Sequence, residues 1–145
     1  MSVSTTIDST LGVVSTVDPA GTTAAGTVTV SGLKAATTTV SSTPVTLVAG
    51  SAGLVLLSTS GAATVTMPDP STCPGSTFVF RSTTAQAHVL TASLNAKQFT
   101  AGLLAPYQSS SHRLTFAATA GNSVAMLSDG NSFLVIGTSG SFTWT

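Results

Sequence analysis

A chain of 145 residues can bury a core without disulfides or metals, and only 6% of this one is charged, against roughly 25% in an average soluble protein. Its four basic and four acidic side chains cancel, which leaves no basic stripe for nucleic acid and no cationic cluster for an anionic membrane. A lone subunit this close to neutrality tends to associate, so the composition suits a surface covered by copies of itself or by a partner.

Residues 1–42 contain 18 Ser and Thr, and few large apolar side chains beyond Ile7, Leu11 and Leu33. Thr27-Val28-Thr29-Val30 alternates with the period of a strand that has one buried face. This stretch is too poor in core residues to fold alone. It reads as an extended N-terminal arm, or a set of edge strands, that must lie on something else. Ile7, Leu11, Val28 and Val30 are its candidate contact residues. Residues 1–33 hold no Lys or Arg and no compact apolar segment follows Met1, so no secretory signal is expected and assembly in a cytoplasm is.

From residue 43 to 145 the chain reads as short strands with turns between, the pattern of an all-β protein: an antiparallel β-sandwich or barrel. "VTLVA" and "GLVLLS" come first. Residues 35–68 carry no charge, but Gly50, Ser51, Gly53, Ser58, Thr59, Ser60 and Gly61 cut the segment into runs too short for a membrane span, which needs about 20 apolar residues. "ATVTM" ends at Pro68, and "MPDPSTCPG" is a proline-held loop. "TFVFR" places Phe78 and Phe80 on one face. "STTAQ", "AHVLTA", "AKQFTAG", "LLAPYQ" and "HRLTFAAT" follow, and "SFTWT" closes the series. No helix longer than two turns is expected.

The firmest element is the hairpin "VAMLSDGNSFLVIG". Asp129-Gly130 suits a two-residue type I′ turn, and the flanking runs are nearly solid apolar. Such strands are covered on both faces, one by the domain's own core and the other by a second layer. Leu134, Ile136, Met126 and Phe133 are therefore candidate residues of an oligomer interface.

Little in the chain could perform catalysis. His88 and His112 are its histidines, Cys73 its single cysteine, and neither a G-x-S-x-G elbow nor a phosphate-binding glycine loop is present. No pair of His, Cys or Asp has the close spacing of zinc ligands or of an EF-hand. Cys73 has no His or Lys beside it in sequence to activate it. Most of the aromatic residues read as core. The expectation is a protein without catalytic residues, metal or cofactor.

"ATVTMPDPSTCPGSTFVFR" together with "VAMLSDGNSFLVIG" resembles β-domains of tailed-phage structural proteins. In those domains a strand ends at a proline, a "PG" loop leads to a Phe-rich strand, and an "SDG" turn precedes the last aromatic-aliphatic strand. Here these are Met67-Pro68, Pro74-Gly75, Phe78-Val79-Phe80 and Ser128-Asp129-Gly130 before Phe133. The resemblance covers about residues 44–137. Asn131-Ser132-Phe133 stands where such domains often carry Trp just after the turn. It implies a virion protein, commonly a homotrimer, without catalytic residues: a capsid decoration (cement) protein bound to the major capsid protein at the capsid surface, or a head- or tail-fibre domain binding a host glycan or receptor. The short chain with an arm and no shaft repeats favours decoration.

Overall fold

A computed structural model describes residues 6–8, 12–14, 36–93, 99–101 and 111–145. The chain divides into two units, Met1–Leu33 and Lys34–Thr145. In the first, β1 (Thr6–Asp8) pairs antiparallel with β2 (Gly12–Val14), Ile7 standing opposite Val13.

The second unit holds strands β3 (Thr37–Val40), β4 (Val45–Thr46), β5 (Gly53–Leu57), β6 (Thr64–Thr66), β7 (Thr77–Ser82), β8 (Val89–Thr91), β9 (Phe99–Ala101), β10 (Arg113–Phe116), β11 (Ser123–Ser128), β12 (Phe133–Ser139) and β13 (Phe142–Trp144). They form a six-stranded sheet in the order β3-β5-β7-β11-β12-β9 and a five-stranded sheet in the order β13-β10-β8-β6-β4. Single 3-10 turns at Ala49–Ser51 and Pro70–Thr72 are the helical elements among the described residues. The fold is an all-β sandwich. Thr37–Val40 belongs to it, so the compact unit begins at Lys34 and not at residue 43.

The expected antiparallel pairing holds for β7–β11–β12 and for β8–β10–β13. Elsewhere the sheets are parallel: β3–β5–β7 and β9–β12 in one, β4–β6–β8 in the other. The reason lies in the winding. From β3 to β8 successive strands alternate between the two sheets, and each next strand in the same sheet returns in the original direction; β8 and β10 then run antiparallel although β9 lies in the facing sheet between them. A strand of the facing sheet replaces the usual crossover helix.

Period-two burial makes the core. In β7, Phe78, Phe80 and Ser82 face inward; in β11, Val124, Met126 and Ser128 do. The rings of Phe78 and Phe80 stack 6.3 Å apart, and Phe133 meets Phe78 edge-on at 5.8 Å. From the facing sheet come Val65, Leu90, Leu114 and Phe116, all within the same cluster. Full burial of each large side chain contributes about 1.5–3 kcal/mol. Cys73 lies in this core as well, 3% exposed, its Sγ 3.6 Å from the Asp69 carbonyl oxygen.

The β11–β12 connection is a four-residue loop, not a two-residue type I′ turn. Ser128 still pairs with Phe133, and among the described residues only glycines take positive φ, including Gly130 at +88°. Asp129 keeps negative φ and acts through its side chain. Its carboxylate accepts the backbone N–H of Asn131 at 2.8 Å and of Ser132, an Asx arrangement that closes the loop without a left-handed Asp. A register shift between Ala125 and Met126 marks a β-bulge, with Ile136 the extra residue of β12.

Gly53 anchors the six-stranded sheet's outer edge. Its φ is +121°, and a Cβ there would collide with the backbone of Ala36, whose carbonyl accepts the Leu54 N–H at 2.9 Å. Gly53→Ala is therefore expected to destabilise the domain by about 2 kcal/mol or more. Gly50→Ala, at a site with open space around it, should change stability by no more than about 0.5 kcal/mol. Urea unfolding of the two variants checks the contrast.

Candidate functional site

Chemistry-bearing side chains are few, and the fold spreads them apart. No group of three His, Cys, Asp or Glu that could hold a metal ion occurs among the described residues. His88 is fully buried just ahead of β8. Its Nδ1 accepts the Ala63 N–H at 3.1 Å, and its Nε2 lies 3.0 Å from Thr84 Oγ1. Thr84 Oγ1 already donates its proton to the Thr59 carbonyl at 3.0 Å, so it accepts from His88 Nε2–H. The ring is thus the neutral Nε2–H tautomer. It ties the 59–63 turn to the 84–88 turn, with Phe116 edge-on at 6.4 Å. His88 is a structural clasp.

His112 opens the β10 ladder, where its backbone N–H donates to the Thr145 carbonyl at 3.1 Å. Its Nδ1 is buried without a hydrogen-bond partner. Trp144 packs edge-on against Phe99 at 6.4 Å and so belongs to the margin of the core. Tyr107 lies outside the described residues.

What stands out is a surface: the outward face of the six-stranded sheet. Three rows cross it. Thr37, Leu54, Val79 and Ala125 form the middle row by direct pairing, completed by Gly137 and the bulged Ile136. On one side, Thr39, Leu56, Arg81, Ser123 and Ser139 are in register. On the other side are Thr77, Leu127, Leu134 and Thr100. A sheet face turned to water normally carries polar side chains at these positions. Here the centre is Leu54, Leu56, Val79, Ala125, Leu127, Leu134 and Ile136, rimmed by hydroxyls.

This arrangement sorts the residues singled out from sequence. Leu134 is half-buried and Ile136 is 37% exposed, and both look outward. Met126 and Phe133 do not join them. Both are fully buried in the chain's own core, because alternation along β11 and β12 turns them to the opposite face. Val28, Val30 and Leu11 lie outside the described residues, and Ile7 sits in β1. Sequence reasoning missed Leu54, Leu56 and Val79. The signal for Leu54 and Leu56 is the solid apolar run "GLVLL", the same unbroken pattern that marked the hairpin, and for Val79 it is the apolar centre of "TFVFR".

Among the described residues the strands of this face carry one charge, Arg81, while Asp129 stands just beyond the end of β11. An open depression beside Arg81 is lined by Leu56, Thr83, Ala120 and Gly121. No helix among the described residues is long and apolar enough to cross a membrane. Comparison with models of known protein families and with curated protein sequences finds no match for this chain.

The His88 clasp makes stability depend on pH. Burial lowers its pKa below the usual value of 6.5. Protonation at Nδ1 would also set a donor against the Ala63 N–H. The folded state therefore binds the proton less readily than the unfolded chain does. The clasp's contribution is complete above about pH 6.5 and is lost as pH falls below it. Thermal unfolding of the wild type should shift to lower temperature between pH 7.5 and pH 5.5. In His88→Gln, less stable at pH 7.5, that shift should shrink. An equal shift in both proteins would show that His88 is not its source.

Proposed function

We propose that this chain is a capsid decoration (cement) protein of a tailed phage, bound to the outer surface of the capsid and stabilising it. The observation that carries this reading is the apolar, nearly charge-free outward sheet face on a domain whose histidines and cysteine are dispersed. A surface of that kind favours permanent assembly over turnover of a small molecule. The resemblance of "ATVTMPDPSTCPGSTFVFR" and "VAMLSDGNSFLVIG" to phage virion β-domains supplies the setting and the expected trimer. The partners are the chain itself and the major capsid protein, met after synthesis in the host cytoplasm. Nucleic acid, membrane, cofactor and catalysis play no part in it.

The attachment we assign to residues 1–33, the part of the Ser/Thr-rich arm that precedes the sandwich. A Thr/Val-rich segment poor in charge adds well to the edge of another protein's sheet. Main-chain hydrogen bonds then carry the contact, and no unpaired charge is buried. Many such contacts over a capsid act together, so each can be modest.

Deleting residues 2–30 should leave the β-sandwich folded, as seen by circular dichroism, and abolish co-sedimentation with expanded capsids. Capsid binding at full occupancy by the truncated chain would remove the arm as anchor. A full-length chain that ignores capsids but binds host cells or a glycan would replace decoration by a fibre role.

A further inference from the structure

We infer that the outward face of the six-stranded sheet is a self-association surface, on which a second copy packs face to face about a two-fold axis. This deepens the assembly part of the reading above and does not depend on the capsid.

The occupant follows from charge placement. Arg81 stands at one end of the face, opposite Ser123 at the start of β11. Asp129 stands at the other end, at the tip of the β11–β12 loop. Its Oδ1 is taken by the loop's own N–H groups, but Oδ2 meets only Ser132 Oγ, at 3.2 Å, and the residue is exposed. Between the two charges lies the apolar patch. A face with a cation at one end, an anion at the other and an apolar centre is complementary to itself when reversed end to end. A two-fold axis lying in the interface performs that reversal. It sets Arg81 of each copy over Asp129 of the other, twice.

The geometry agrees with ordinary sheet packing. Six residues of strand separate Ser123 from Asp129, roughly 20 Å, while β7 and β11 are one strand spacing apart, about 4.8 Å. The axis that exchanges the two charges crosses the strands of the copies at about 27°, close in size to the ~30° of aligned packed sheets. The loop tip of one copy then comes over the depression beside Arg81 in the other, whose walls are Leu56, Thr83, Ala120 and Gly121. Six strands of about five residues present roughly 500 Å² per copy, about 1,000 Å² for the pair. That lies at the lower limit of specific interfaces, so the pair is expected to dissociate on the order of 10 μM. In a trimeric protein the same contact would join one trimer to another.

Sedimentation velocity over a concentration series, on the full chain, tests this. Arg81→Asp should weaken pairing about thirtyfold, since it removes two attractions and creates two repulsions. Asp129→Asn keeps a loop-capping oxygen and should weaken pairing about fivefold. The decisive variant is the double. Added to Arg81→Asp, Asp129→Asn should strengthen pairing, because it removes the new repulsion. Ile136→Asp, at an exposed site that leaves folding intact, should abolish pairing. A wild type that sediments as an unassociating species to several hundred micromolar overturns the inference. So does a self-association indifferent to Arg81→Asp, or equal weakening by Asp129→Asn in both backgrounds. Capsid co-sedimentation of the same proteins separates the two proposals: pairing without capsid binding removes the decoration role and keeps this contact.

Discussion

The apolar contact between the inner faces of the two sheets governs the rest of the domain, because neither sheet is built from a continuous piece of chain. Gly53 pairs with Phe78, and Val65 with Leu90. In each case the intervening segment passes through the opposite layer. Closing such long loops costs entropy before any ladder bond is gained. The compensation comes only when Phe78, Phe80 and Val55 meet Val65, Leu90 and Leu114 across the gap. The two layers must therefore form together. The local β11–β12 hairpin is the one consecutive pair within the sandwich and the natural exception.

With so few charges, hydroxyls take over much of the polar organisation. Ser128 is buried and donates to the Pro70 carbonyl at 3.0 Å, which ties the end of β11 to the proline loop. Ser82 donates to the Thr84 carbonyl, and Thr59 to that of Gly61, each at 2.6 Å. Asn122 Nδ2 reaches the Ala117 carbonyl at 3.0 Å. The buried bond to Pro70 satisfies a carbonyl whose loss would cost about 1–3 kcal/mol, and the part-buried ones fix the turns at 59–61, 82–84 and 117–122. The abundance of Ser and Thr is thus partly internal, used to fasten turns, and is not solely a solvated coat.

Strand positions and inward residues were legible because they follow a local period: "TFVFR" places Phe78 and Phe80 together whatever pairs beside them. Pairing direction was not legible, since it depends on the path the chain takes between the paired strands, and nothing local encodes that. The loop at Asp129 misled for a related reason. "DG" satisfies a type I′ turn, yet an aspartate carboxylate can cap the following N–H groups instead, and the two outcomes share one sequence. Thr37–Val40 gave too weak a signal because an edge strand buries little: in it, Val40 alone is fully buried. At the candidate surface, the outward role of Leu134 and Ile136 could be read from the doubly apolar hairpin. Assigning Met126 and Phe133 inward required the pleat and the bulge.

The parallel pairing of β3 with β5 carries a mechanical consequence. Residues 37–40 lie in register beside 54–57, both strands running the same way. Tension applied to β3 along the strand direction loads this ladder in shear, so its hydrogen bonds share the force and must break together. Tension applied across the strand would peel them one at a time. The edge of the six-stranded sheet is thus far stronger along the strand direction than across it.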